Sequence, residues 1–313
     1  MTLKETIVKA DNILIIGHQR PDGDCIGAGL ALRHACINLG KQCDFTFDSS
    51  VPQHFSFVPD FDALARVSQD EYDLVMCVDC ADNFRMGKFS TLFNKAKHTV
   101  NIDHHITNNR FAELNFIVPD ASSTCEILFD LLEEADNIDD MVAYYLYIGL
   151  STDTGHFMHS NTTPHVFEVA SKLAQYNISP YEIARDIYKN ATVGKVKLIS
   201  RAINSMRFFA DGKICLITVT PEDLTACDCV LADTEGIIDY GMMIGTVDVA
   251  VCITQHSGFS YKVSFRSKNV DVAAAAGVFG GGGHKLAAGC TVSGRYEDVV
   301  AKVVKAVTDG MPL

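Results

Sequence analysis

The fold is constrained most by three short apolar runs, each of which stops at a cluster of carboxylates and imidazoles. Ile13-Leu14-Ile15-Ile16 leads into His18-Gln19-Arg20-Pro21-Asp22-Gly23-Asp24, Leu74-Val75-Met76-Cys77-Val78 into Asp79-Cys80-Ala81-Asp82, and His98-Thr99-Val100-Asn101-Ile102 into Asp103-His104-His105. Short runs without alternation mark strands buried on both faces, the pattern of a parallel sheet covered by helices. Helical patterns over Cys25 to Leu39, closed by Gly40, and over Ala121 to Glu134 and Met141 to Leu150 supply the covering layers. The expected class is therefore α/β. Open sheets of this kind take ligands beyond the carboxyl ends of their strands, where all three clusters fall.

Each cluster also has an ordinary reading. Asp22 or Asp24 can cap the following helix, but one cap accounts for one aspartate and for neither the second nor His18. Asp79 alone reads equally as a turn aspartate, and Asp103-His104-His105 alone as a solvated turn. A fourth cluster, Ser151-Thr152-Asp153-Thr154-Gly155-His156-Phe157, follows an apolar helix. Asp153 falls at that helix end, where backbone carbonyls disfavour a carboxylate unless a cation compensates. Imidazole mixed with carboxylate favours manganese, iron, cobalt or zinc over calcium.

Helical patterns from Pro164 to Tyr176 and Pro180 to Tyr188 precede the polar segment Lys189 to Lys197. The expected organisation is a first domain over 1–188, a linker over 189–204 and a second domain over 205–313. In the second, Asp211-Gly212-Lys213 and His256-Ser257-Gly258 separate strand pairs, and helices are expected from Val272 and over Tyr296 to Thr308, which makes a smaller mixed-sheet α/β domain. Between those helices stands Gly280-Gly281-Gly282-Gly283-His284-Lys285. Four glycines are costly to order, and bare N–H groups running into a helix start make an anion site to which His284 and Lys285 add donors. Arg266, at the end of a strand, reaches the same phosphate in this reading. A flexible linker and an exposed strand-end arginine are the plain alternatives.

The formal net charge of −13 opposes binding of long nucleic acid through many phosphates and leaves short ones. Eleven cysteines without metal-ribbon spacing point to buried thiols in a reducing cytosol, and Cys227-Asp228-Cys229 is too closely spaced for a structural zinc pair. Met1-Thr2-Leu3-Lys4-Glu5 lacks an apolar signal core and no apolar run is long enough for a bilayer, so a cytoplasmic protein without a membrane partner is expected.

Taken in order, Gly17 to Asp24, Val78 to Asp82, Asp103-His104-His105, Ser151 to Gly155 and Gly280 to His284 resemble the motifs of the DHH phosphoesterases that carry a carboxyl-terminal DHHA1 domain. The resemblance implies two divalent metal ions, usually manganese, one held by His18, Asp22 and Asp79 and the other by Asp24, Asp79, His104 and Asp153. It also implies that His105 faces the phosphate being cleaved, that Asp103 orients the histidines, and that Arg266, Gly281, Gly282, Gly283 and His284 bind substrate. The substrates implied are short oligoribonucleotides or the nucleotide bisphosphate 3′-phosphoadenosine-5′-phosphate (pAp), with cyclic or linear dinucleotides as the alternative. An inorganic pyrophosphatase and a non-catalytic nucleotide sensor are less favoured. Family members are commonly homodimers.

Overall fold

A computed structural model describes residues 2–50 and 55–311, which form two compact units, Met1–Asn190 and Ala191–Leu313. In the first, α1 (Leu3–Lys9) is followed by β1 (Asn12–Ile16), α2 (Gly23–Asn38), β2 (Gln42–Thr46), β3 (Leu74–Val78), α3 (Ser90–Lys95), β4 (His98–Asp103) and β5 (Leu114–Ile117), then by four helices, α4 (Thr124–Glu134), α5 (Asp140–Asp153), α6 (Pro164–Leu173) and α7 (Pro180–Tyr188). The sheet order is β2-β1-β3-β4-β5, with every pairing parallel.

Both faces of this sheet are covered. Ile13, Ile15, Met76, Val78, Val100 and Ile102 enter one core with α2, α4 and α5, while Leu14, Ile16, Val75 and Cys77 enter another with Met86 and Phe93. Helix starts follow the local chemistry: Asp22, Ser123 and Asp139 cap α2, α4 and α5, and Thr163 and Ser179 cap α6 and α7 ahead of Pro164 and Pro180. Helices α2 and α5 cross at close range. A Cβ at Gly27 would lie 2.6 Å from the Tyr145 carbonyl oxygen, and one at Gly149 would lie 2.7 Å from Asp24 Oδ1. That crossing sets the first turn of α2 beside the last turns of α5.

The stretch 189–204, expected as a linker, is mostly helical. Helix α8 (Val193–Asn204) is capped by Thr192 and belongs to the second unit, where it buries Leu198 and Ala202. Lys195, Lys197 and Arg201 give the segment a polar composition, but the spacing of Leu198 and Ala202 is that of an amphipathic helix. The unit continues with β6 (Arg207–Phe209), β7 (Ile214–Val219), α9 (Pro221–Ala226), α10 (Asp239–Met242), β8 (Val249–Ser257), β9 (Ser260–Ser267), α11 (Val272–Gly277), β10 (Gly282–His284), β11 (Ala287–Ser293) and α12 (Tyr296–Asp309). Its mixed sheet runs β10-β11-β9-β8-β7-β6, parallel only between β7 and β8. Tyr261, Val263 and Phe265 of β9 face the core built with α11 and α12, so Lys262, Ser264 and Arg266 point to the other face. No helix among the described residues is long and apolar enough to cross a membrane.

Candidate metal centre

The turn after β1 buries His18, whose Nδ1 lies 2.8 Å from the Gln19 carbonyl oxygen. A hydrogen donated there leaves Nε2 as the ligating atom, 3.2 Å from Asp79 Oδ2 and 3.7 Å from Asp22 Oδ1. Asp22 is also the α2 cap, accepting from Cys25 N–H at 3.1 Å, so the ordinary reading and the functional one hold together. Asp79 follows β3 directly and takes a left-handed backbone, φ 58°. Aspartate tolerates that region better than most residues, yet the conformation still costs about 1–3 kcal/mol, which fits a carboxylate aimed for function.

The second loop completes the centre. His104 Nδ1 lies 3.3 Å from the Ala121 carbonyl oxygen, and its Nε2 lies 3.7 Å from Asp79 Oδ1 and 3.3 Å from Asp153 Oδ2. Asp79 Oδ1 also accepts from Thr124 Oγ1 at 3.3 Å. Asp24 accepts from Thr124 N–H at 2.7 Å and Cys125 N–H at 3.0 Å, the first amides of α4, where the helix field favours an anion. Asp153 is the last residue of α5, and its own carbonyl accepts from Asn161 Nδ2 at 3.1 Å. Three overlapping groups, His18 with Cys25 and Asp79, Asp79 with His104 and His105, and Asp24 with His104 and Asp153, each hold their ligand atoms within 4.8 Å of one another.

His105 has a different setting. Its Nδ1 lies 2.7 Å from Asp103 Oδ1, while Asp103 Oδ2 accepts from Asn108 Nδ2 at 2.6 Å. Asp103 is fully buried and touches His105 alone of the two histidines; His104 is held by the Ala121 carbonyl instead. Asn108, Thr124, Asn161 and Cys25 were not singled out from the sequence. Asn108 shares the His105 loop, which is a signal of position only, and Cys25 falls one residue after Asp24 in a helix that reads as plain core.

The charges are costly as they stand. Burial, and then the charge of Asp79, push the Asp24 carboxyl up to about 7. Burial followed by the charges of Asp24, Asp22 and Asp79 raises Asp153 well above the usual carboxylate range. Against the penalty of burial, Cys25, Asp22 and Asp79 raise His18, while His18 in turn, against the desolvation at its side, holds Asp22 down at about 2. Burial likewise opposes the ion pair of His105 and Asp103, yet the pairing raises the imidazole and lowers the carboxyl. Carboxylates that raise one another around two imidazoles are a donor set that divalent cations fit, because a cation removes the repulsion that the protons now relieve.

In the second unit the glycine run does not lead into a helix. It follows α11 and forms β10, paired antiparallel with β11, because Lys285 and Leu286 make the turn and Ala287 returns as a strand. Part of the glycine requirement is packing: Gly283 has φ 147°, and a Cβ there would lie 2.5 Å from the Ala287 carbonyl oxygen. Arg266, Ala287 and His284 are consecutive cross-strand partners, so Arg266 and His284 share a row on one face, both exposed. Gly281 and Gly282 lie beside them.

Residues 12–150 match the DHH family, N-terminal domain, and residues 232–311 match the DHHA1 domain. A parallel sheet with carboxylates and imidazoles at its strand ends, followed by a mixed-sheet unit, is the arrangement of a DHH phosphoesterase, and the chain belongs to the DHH family in its DHHA1-bearing branch. Among its relatives, the bifunctional oligoribonuclease and PAP phosphatase NrnA of Thermus thermophilus is 30% identical over 329 residues, covering 98% of this chain and 94% of that one. The probable NrnA of Streptococcus mutans is 29% identical over 300 residues, covering 92% and 93%. Among solved structures, an exopolyphosphatase-related protein from Bacteroides fragilis superposes with a TM-score of 0.92 at 25% identity, covering 98% of this chain and 94% of its own.

Proposed function

We propose that this chain is a manganese-dependent phosphoesterase that hydrolyses short oligoribonucleotides to mononucleotides and pAp to AMP. The observation that carries the reading is the placement of Asp79, whose two oxygens face His18 on one side and His104 on the other. In this reading His18, Asp22 and Asp79 hold one divalent ion, and Asp24, Asp79, His104 and Asp153 hold the second. When bound, such a pair supplies Lewis-acid polarisation of the phosphate and lowers the pKa of water toward neutrality.

The protein's own groups then orient the substrate. In its protonated form, which Asp103 favours, His105 donates from Nδ1 to Asp103 and presents Nε2–H to the phosphate, and Asn108 fixes Asp103 for that task. Arg266 and His284, with the backbone of Gly281, Gly282 and Gly283, bind a phosphate that is not cleaved. The names of the NrnA relatives support both substrates, and the net charge of −13 supports short chains over long ones. A second reading, a cyclic or linear dinucleotide phosphodiesterase, draws on 29% identity over 192 residues to the cyclic-di-AMP phosphodiesterase GdpP of Bacillus subtilis, which spans 55% of this chain and 29% of that protein.

The test is to incubate the manganese-loaded protein with pAp, short RNA, and linear and cyclic dinucleotides, and to separate the products. Release of phosphate from pAp and of mononucleotides from short RNA is expected. Turnover of dinucleotides alone selects the second reading, and no release from any of them overturns both.

A further inference from the structure

The segment Asn83–Phe89, which follows the Asp79 loop in tight helical turns, carries an arginine that the site described above does not use. Asp82 caps the segment by accepting from Arg85 N–H at 3.1 Å. Two backbone bonds, one from the segment and one from the turn just before it, fix this stretch to the loops of the metal centre. The Arg85 carbonyl accepts from Gln19 N–H at 2.8 Å, next to His18, and the Ala81 carbonyl accepts from Asn109 N–H at 3.1 Å, in the loop that carries His104 and His105. Beyond Arg85 the chain turns at Gly87, φ 59°, where a Cβ would run into the side chains of Asp48 and Gln19.

That crowding also decides what Arg85 lacks. Asp48 is already engaged, by Lys88 Nζ at 3.1 Å, Lys88 N–H at 3.1 Å and Gln19 Nε2 at 3.2 Å. Among the described residues no carboxylate pairs with the Arg85 guanidinium, and the side chain is exposed. An uncommitted arginine, anchored by its backbone beside the residues following His18 and near the imidazole assigned to the phosphate, is placed for an oxyanion. The planar fork of arginine matches phosphate oxygens in pairs.

We infer that Arg85 is a catalytic residue whose guanidinium binds the non-bridging oxygens of the phosphate being cleaved, an inference that rests on the phosphoesterase reading above. In the hydrolysis the oxygen of water bonds to phosphorus, the ester P–O bond breaks with its electron pair going to the leaving oxygen, and that oxygen takes up a proton. Arg85 keeps its own protons throughout and offsets the charge on the oxygens that stay.

The experiment compares parent, Arg85→Ala and Arg85→Lys, with manganese content and thermal melting recorded for each, on pAp and on a generic aryl phosphodiester. It also titrates inorganic phosphate into the manganese-loaded proteins by calorimetry. Loss of a charge-assisted hydrogen bond should lower kcat/KM about ten- to a hundredfold on both substrates, since both present the cleaved phosphate, and weaken phosphate binding about tenfold. Arg85→Lys should recover part of each loss. Values within about twofold of the parent in all three measurements overturn the inference. So does a loss confined to pAp, which would assign Arg85 to the uncleaved phosphate, and so does loss of manganese. If the parent turns over neither ester, the proposed function fails, while the phosphate titration still decides the role of Arg85.

Discussion

Asp79 Oδ2 lies 3.2 Å from His18 Nε2, and the other oxygen of the same carboxylate lies 3.7 Å from His104 Nε2. One side chain therefore joins two strand-end loops that are separated in the chain, and it does so from a left-handed backbone that most residues avoid.

Asp79→Ala should abolish turnover. Outer partners of metal sites typically cost about 10–100-fold when removed, and a group shared by two sites should exceed that range. Steady-state hydrolysis with metal content measured in parallel checks this, and activity within tenfold of the parent at full manganese occupancy would refute the bridging assignment.

Asn108→Ala should leave the metals in place but slow the reaction about 10–100-fold, because Asp103 loses the donor that fixes it beneath His105. The contrast between retained manganese and reduced kcat separates this outcome from a collapsed site. Asp103→Asn should behave similarly, since an amide no longer favours the raised pKa of His105.

Chelation should silence the enzyme and manganese should restore it. The oxygen-rich donor set at Asp22, Asp24, Asp79 and Asp153, with imidazole from His18 and His104, suits manganese better than calcium, while Cys25 beside His18 offers softer metals a sulfur. Recovery with calcium but not with manganese would show that the donor set is wrong.

The metal-free protein should lose stability as pH rises from mildly acidic to mildly alkaline. Asp24 is raised from 3.8 to about 7 on folding, so its contribution is present below the unfolded value and disappears as pH climbs through the folded one. His18 is raised above 6.5, and its contribution fades above that value. Both act in the same direction. Thermal unfolding of the chelated protein at about pH 6 and about pH 8 should give the lower Tm at the higher pH, and manganese should reverse the order because it binds the deprotonated ligands. A higher Tm at the alkaline pH without metal would count against the mutual repulsion described for these carboxylates.

Arg266→Ala and His284→Ala should weaken pAp and short RNA and spare a generic aryl phosphodiester. Each lost charge-assisted hydrogen bond is expected to cost about 1.5–3 kcal/mol, or roughly ten- to a hundredfold in kcat/KM. Equal losses on the aryl ester would move these residues to the reacting phosphate.

Much of the first unit was readable in one dimension. Ile13 to Ile16, Leu74 to Val78 and His98 to Ile102 are strands because unbroken apolar runs must be buried on both faces, and a parallel sheet puts the next residues, His18, Asp79 and Asp103, at one edge. Pro164 and Pro180 similarly announced helix starts. What failed were segments whose state depends on partners far away in sequence. The stretch 189–204 looked like a polar linker, yet Leu198 and Ala202 find a core in residues from β7 and β8, and the chain there is helical. The glycines before His284 looked like a helix approach, yet Ala287 to Ser293 offered them a strand to pair with.

The candidate site divides along the same line. Local pattern alone named the donor types and the loops that carry them, because ligating chemistry belongs to the residue. Which atoms meet was decided by the tertiary structure. The close crossing of α2 and α5 at Gly27 and Gly149 sets Asp24 against the start of α4, the carbonyls of Gln19 and Ala121 take the Nδ1 atoms of His18 and His104 and leave Nε2 toward Asp79, and Asp103 holds Nδ1 of His105. Contacts such as that of Asp24 with Thr124 join residues 100 positions apart. No spacing along a chain specifies them, because packing, and with it the repulsion among buried carboxylates, exists only once the strands and helices have come together.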